Sequence, residues 1–142
     1  MIILTGAAGG IGKSIVSDLA KIDNVIGIYH KNKPINIDKK VTYEKVDIND
    51  HDSIREFIDK YSEIFSNITV IHCAAIKIDG IALTYERSDW DSTILTNLTS
   101  NFMLTQSLLP FMMKDKMGRI IHISSKGGID GEQGTLAYSV SK

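Results

Sequence analysis

A chain of 142 residues is the length of one domain, and 43% hydrophobic with 23% charged residues excludes a disordered polymer. Sixteen basic against seventeen acidic residues leave a net charge of −1, which excludes recognition of nucleic acid or an anionic membrane by bulk electrostatics. The single cysteine, Cys73, excludes an intrachain disulfide and a cysteine-rich zinc site, no metal is expected, and the absence of a signal peptide or long apolar run predicts a cytoplasmic protein.

The apolar run Ile2 to Leu4 predicts a first strand, followed at once by Thr5-Gly6-Ala7-Ala8-Gly9-Gly10-Ile11-Gly12. Ile11, Ile15, Val16, Leu19 and Ile22 then recur at helical spacing, and Val25 to Tyr29 reads as a second strand. Strand, glycine turn, helix and strand make a βαβ unit with parallel strands. The polar stretch Lys31 to Lys40 is too short for a full crossover helix before a third strand, Val41 to Val46. A helix with Ile54, Phe57, Ile58, Tyr61, Ile64 and Phe65 on one face follows, then a fourth strand, Ile68 to Cys73.

A long helix is expected from about Asp89 to Met113, opened by a capping box at Ser88-Asp89-Trp90-Asp91 and bent or ended at Pro110. Trp90, Ile94, Leu98, Phe102 and Leu109 would form its apolar face, and Phe111, Met112, Met113 and Met117 would pack core and helix end. Gly118 to Ser125 holds the fifth strand, and a Gly-rich loop from Gly127 to Gly134 leads to Ala137-Tyr138-Ser139-Val140-Ser141-Lys142. The pattern predicts a single domain over residues 1–142: an open, doubly wound parallel α/β sheet of the Rossmann type, strand order 3-2-1-4-5. Ligands of such sheets bind at the carboxyl ends of strands one and four.

Two groups of residues carry chemistry. Gly6, Gly10 and Gly12 permit a tight turn, close approach to a pyrophosphate, and close packing of helix on strand. The helix that follows offers free N–H groups to phosphate oxygens. At the other end, Tyr138 and Lys142 fall one helical turn apart, with Ser125 thirteen residues before the tyrosine. An ammonium beside a phenol favours the phenolate and fits it for general acid–base work. His72 and His122 sit in strands and read as packing or hydrogen-bonding residues.

The set Thr5-Gly6-x-x-x-Gly10-Ile11-Gly12, Asn97, Ser125, Tyr138 and Lys142 resembles the short-chain dehydrogenase/reductase family across nearly the whole chain. The segment from Trp90 through Asn97-Leu98 to Gly118-Arg119-Ile120-Ile121 is similar to 3-oxoacyl-[acyl-carrier-protein] reductases. The resemblance implies hydride transfer between a nicotinamide cofactor and a small carbonyl or alcohol substrate. In it Tyr138 is the general acid, Lys142 holds the ribose and lowers the tyrosine pKa, Ser125 orients the carbonyl, and Asn97 anchors a relay water. Gly6, Ala8, Gly9, Gly10, Ile11 and Gly12 would receive the phosphates, Asp47 and Ile48 the adenine, and Ala74 the adenosine.

The end of strand two, Tyr29-His30-Lys31-Asn32, has no carboxylate, so His30 and Lys31 favour NADP, with NAD as the alternative. His72-Cys73-Ala74-Ala75 departs from the family's Asn-Asn-Ala-Gly, and Gly9 stands where many NADP-using relatives carry arginine. Members are usually longer than two hundred residues, so the resemblance also implies a missing C-terminal part and a fifth strand left as an edge. The parent is expected to be a homodimer or homotetramer. The alternatives are an inactive fragment and a non-catalytic nucleotide-binding protein.

Overall fold

The structure is a computed structural model that describes residues 1–35 and 38–142. Five short strands, β1 (Ile2–Leu4), β2 (Val25–Tyr29), β3 (Val41–Lys45), β4 (Ile68–His72) and β5 (Gly118–His122), form one parallel sheet in the order β3-β2-β1-β4-β5. This is the order expected from the sequence. The register pairs Ile3 with Ile26 on one side and with Val70 on the other, so the most apolar strands occupy the centre.

Alternation along the strands divides the core in two. Ile3, Ile26, Ile28 and Val70 point to the face covered by α2 (His51–Tyr61) and α4 (Ser100–Asp115), against Ile54, Phe57, Leu104 and Leu108. Ile2, Leu4, Val25 and Ile71 point to the opposite face, against Val16 and Ala20 of α1 (Gly10–Ile22). Among the described residues no helix lies between β2 and β3; residues 36 and 37 of that stretch are outside the description. No helix of the described residues is long and apolar enough to cross a membrane.

The long helix departs from expectation at its start and in its middle. It begins at Arg87 rather than after a Ser88 cap: α3 (Arg87–Ile94) has Glu86 at its N-cap, without a side-chain cap, and the Glu86 carbonyl accepts from Asp89 and Trp90. It runs past Pro110 to Asp115, where Lys116 closes it in the left-handed conformation. Between α3 and α4, residues Leu95–Thr99 form a π-turn in which the Ser100 N–H reaches the Leu95 carbonyl. The Ser100 hydroxyl and the Asn101 amide bond the Thr96 and Asn97 carbonyls at 2.6 and 2.7 Å, satisfying groups that the wider turn displaces.

The buried face lies one residue away from the expected apolar row on both sides of that turn. Thr93, Asn97, Ser100, Leu104, Leu108 and Met112 point inward, while Leu98 (52% exposed), Phe102 (62%) and Leu109 lie on the surface. Of the expected packing cluster, Met112 is buried and Phe111 meets Phe65 edge-on, but Met113 and Met117 are exposed. Ile64 is exposed as well, because a 3-10 turn (Ser62–Ile64) ends the period of α2. The Gly-rich loop contains a short helix, α5 (Lys126–Asp130), before α6 (Leu136–Ser141). β5 is an edge strand with all five residues exposed.

Candidate active site

The glycine turn joins β1 to α1 at the carboxyl edge of the sheet. Gly6 has φ +69, and a Cβ there would lie 2.8 Å from the Ala74 backbone, so only glycine lets the ends of β1 and β4 meet. A Cβ on Gly12 would overlap the Gly6 carbonyl, whereas Gly10 has open space beside it. The Thr5 hydroxyl accepts from the N–H groups of Cys73 and Ala74 at 3.0 and 3.1 Å, bracing the two strand ends from within. Sequence reading gave Thr5 no role; its signal is a hydroxyl closing an otherwise apolar strand.

Helix α1 starts at Gly9 with neither a side-chain cap nor an acidic residue in its first turn. Its leading N–H groups therefore face outward with the positive end of the helix dipole. The turn that leads into it borders a cavity of about 650 Å³ lined by Gly6, Ala8, Gly9, His30, Lys31, Asp47, Ile48 and Ala74, with Lys13, Cys73, Ile76 and Thr96. Sequence-predicted cofactor residues from four of five segments thus share one cavity, whereas Tyr138 and Lys142 do not line it. Gly10, Ile11 and Gly12 do not line it; they form the helix turn behind it, with the Ile11 side chain exposed.

The end of β2 is less purely basic than its sequence. Asp47, from the end of β3, brings Oδ2 within 3.6 Å of His30 Nε2, while its Oδ1 accepts from the Asn49 N–H. The His30–Lys31 end of the cavity therefore carries both signs of charge. Cys73, in place of an asparagine, lies half-buried beside the Gly12 N–H, and burial pushes its thiol up.

Asn97 links the cavity to the second group of residues. It is 2% exposed, at the centre of the π-turn. Its Oδ1 accepts from the Ile76 N–H at 2.8 Å, and its Nδ2 donates to the Ile76 carbonyl and to Ser141 Oγ, both at 2.9 Å. Ser141 in turn donates to the Tyr138 carbonyl at 2.8 Å. The amide sets the seat of α6 against the cavity wall, a contact that residue spacing could not reveal.

Tyr138 and Lys142 stand on one side of α6, the Lys142 ammonium 5.9 Å from the ring centroid and donating to the Ile123 carbonyl at 2.7 Å. Gly128 of α5 packs against the Lys142 backbone, and Ser124 Oγ donates to the Lys142 carbonyl. Ser125 caps α5 by accepting from the Gly127 N–H at 3.2 Å, which leaves its own proton free to donate. A second ammonium also faces the tyrosine: Lys77 Nζ is 5.8 Å from the ring centroid. His72 and His122 stack at 4.7 Å, with His72 Nε2 bonded to Thr105 Oγ1, as residues that pack and hydrogen-bond.

The family model for short chain dehydrogenases matches residues 1–142. The chain is 31% identical to the 3-oxoacyl-[acyl-carrier-protein] reductase FabG of Thermotoga maritima, over 99% of this chain and 61% of that protein. It is 36% identical to FabG of Buchnera aphidicola, over 98% and 60%. Among solved structures it is similar to serine dehydrogenase from Escherichia coli (TM-score 0.88, 23% identity, 99% of this chain and 69% of that one). It is also similar to ElxO with NADP bound (TM-score 0.85, 22% identity, 99% and 61%). The chain spans about 60% of the length of the curated relatives it matches. With the family model covering it from end to end, the chain belongs to the short-chain dehydrogenase family.

Proposed function

We propose that the whole protein is a cytoplasmic oxidoreductase that transfers hydride between NADP(H) and a carbonyl or alcohol, with a 3-oxoacyl thioester as the substrate class. The observation that supports this reading is a hydrogen-bonded run from the cavity wall to the backbone of the helix turn that carries Tyr138. Ile76 lines the cavity, Asn97 clamps Ile76, Ser141 bonds Asn97, and Ser141 bonds the Tyr138 carbonyl.

The cavity fits a dinucleotide in two respects. Gly6, Ala8 and Gly9 bring bare backbone to its wall at the uncapped start of α1, and the Gly6 position tolerates no side chain. Gly6, Ala8, Gly9, Gly10, Ile11 and Gly12 would hold the pyrophosphate, His30 and Lys31 a 2′-phosphate, Asp47 and Ile48 the adenine, and Ala74 the adenosine. NADP is favoured over NAD by Lys31 and His30. When bound, the nicotinamide supplies the hydride and the protein supplies position and protons.

Ser125 donates its free proton to the substrate oxygen and orients the carbonyl. Tyr138 then delivers its phenolic proton to that oxygen as the carbon is reduced, so the C=O becomes CH–OH and the tyrosine is left as phenolate. Lys142 holds the ribose hydroxyls and stabilises the phenolate, and a water on Asn97 returns the proton. Assembly as a homodimer or homotetramer is supported by the exposed Leu98, Phe102 and Leu109 on the long helix.

Tyr138→Phe tests the reading. It should abolish NADPH-dependent ketone reduction while NADPH affinity stays within about threefold; undiminished turnover refutes the acid role.

A further inference from the structure

We propose that Lys13 is a second cationic arm of the cofactor site, closing on the adenosine 2′-phosphate of NADP(H) from α1 while Lys31 closes on it from the end of β2. The inference deepens the NADP reading of the cavity and rests on it.

Lys13 and Lys31 come from different elements and line the same cavity. The Lys13 N–H is spent on the Gly9 carbonyl at 2.9 Å, so the side chain is what this residue has to offer a ligand. Helix side chains lean back towards the N-terminus, over the residues three and four places earlier. For Lys13 those residues are Gly10 and Gly9, and neither carries a side chain to stand in the way. The lysine stem thus has bare backbone to cross, and Gly9 at the end of that path lines the cavity itself.

The end of β2 is fixed against this turn. The Ala7 N–H donates to the Ile28 carbonyl at 2.9 Å, and a Cβ on Gly27 would lie only 2.9 Å from Ala7 Cβ. Farther along α1, Val16 and Ala20 share a core with Val25 of β2. The two lysines therefore stand on one frame, with the cavity shared between them.

The charges at the site leave both lysines available. Among the described residues, Asp47 is the only carboxylate that lines the cavity. One of its oxygens faces His30 at 3.6 Å and the other accepts from the Asn49 N–H. No ion pair among the described residues involves Lys13 or Lys31. The first turn of α1 has no acidic residue to compete for either. NAD brings a neutral hydroxyl to the ribose position where NADP brings a phosphate, and an ammonium serves a phosphate as a point charge. Two ammonium groups without acidic partners fit the phosphate.

The test measures dissociation constants for NADPH and NADH by nicotinamide fluorescence, in the whole protein and in Lys13→Met, an exposed position. Wild type should prefer NADPH. Lys13→Met should weaken NADPH by about fivefold to twentyfold and leave NADH within about twofold, and Lys13→Gln should repeat the split. Adenosine 2′,5′-bisphosphate against adenosine 5′-monophosphate, as competing ligands, should show the same selective loss without a pyrophosphate. Unchanged NADPH affinity in Lys13→Met overturns the proposal. So does an equal loss for NADPH and NADH, which would place Lys13 on the pyrophosphate. Lys31→Met run alongside separates the two readings. Selective loss of NADPH there with none at Lys13 removes only this inference; a wild type that binds NADH as tightly as NADPH removes the NADP reading and this inference with it.

Discussion

Asn97 occupies both backbone polar groups of Ile76, accepting from its N–H at 2.8 Å and donating to its carbonyl at 2.9 Å. A buried side-chain amide thus stands in for a β-ladder partner at the point where the chain leaves β4. Removing it orphans two backbone groups and the Ser141 contact. Asn97→Ala should therefore cost about 3 kcal/mol in a urea titration, and Asn97→Asp, which sets a buried carboxylate oxygen against the Ile76 carbonyl, at least as much. Equal stability of all three proteins contradicts the clamp.

Gly12 and Gly10 lie two residues apart and should behave differently. A Cβ at 12 overlaps the Gly6 carbonyl and comes within 2.8 Å of Ala7 Cα, so Gly12→Ala should lower Tm and nucleotide affinity together. A Cβ at 10 meets nothing, so Gly10→Ala should keep Tm and weaken NADPH binding alone. Thermal melts with and without NADPH separate the two outcomes.

Thr5→Val keeps the shape of the side chain and removes the acceptor shared by Cys73 and Ala74. Two N–H groups at the strand end lose their partner, a loss of about 1–3 kcal/mol. Amide hydrogen exchange at Cys73 and Ala74 should quicken first, while exchange at the centre of β2 stays unchanged.

The His72 imidazole is pushed down to about 4, first by burial and then by the His122 ring against it; Asn101 works weakly in the other direction. The unfolded chain, with a histidine near about 6.5, takes up its proton first. Stability from this group is whole above that value, declines as pH falls towards 4, and levels off below; the loss is at most about 3 kcal/mol. His72→Gln should flatten urea midpoints across this window. An unchanged slope in the variant assigns the acid sensitivity elsewhere.

What the sequence disclosed followed from strong local signals. Short β-branched runs at β1, β2 and β4, with Gly6 closing the first, were enough to place the sheet and the elbow, because few topologies bury such runs on both faces. Leu98 and Phe102 lie one residue off the buried row Thr93, Asn97 and Asn101, whose polar side chains carry no apolar signal, and the wider turn at Leu95–Thr99 is equally silent. That turn is stabilised by Ser100 and Asn101 hydrogen bonds to carbonyls, which leave no apolar trace. Asp47 and His30 each follow a strand that the sequence discloses, but their 3.6 Å contact is a matter of sheet register.

Deuterium tracing tests the central claim most directly. NADPH carrying deuterium at the reactive carbon of its nicotinamide is incubated with the protein and a ketone, and the alcohol is weighed by mass spectrometry. The account predicts one deuterium on the carbinol carbon and its disappearance in Tyr138→Phe. An alcohol whose new carbon-bound hydrogen comes from water contradicts it.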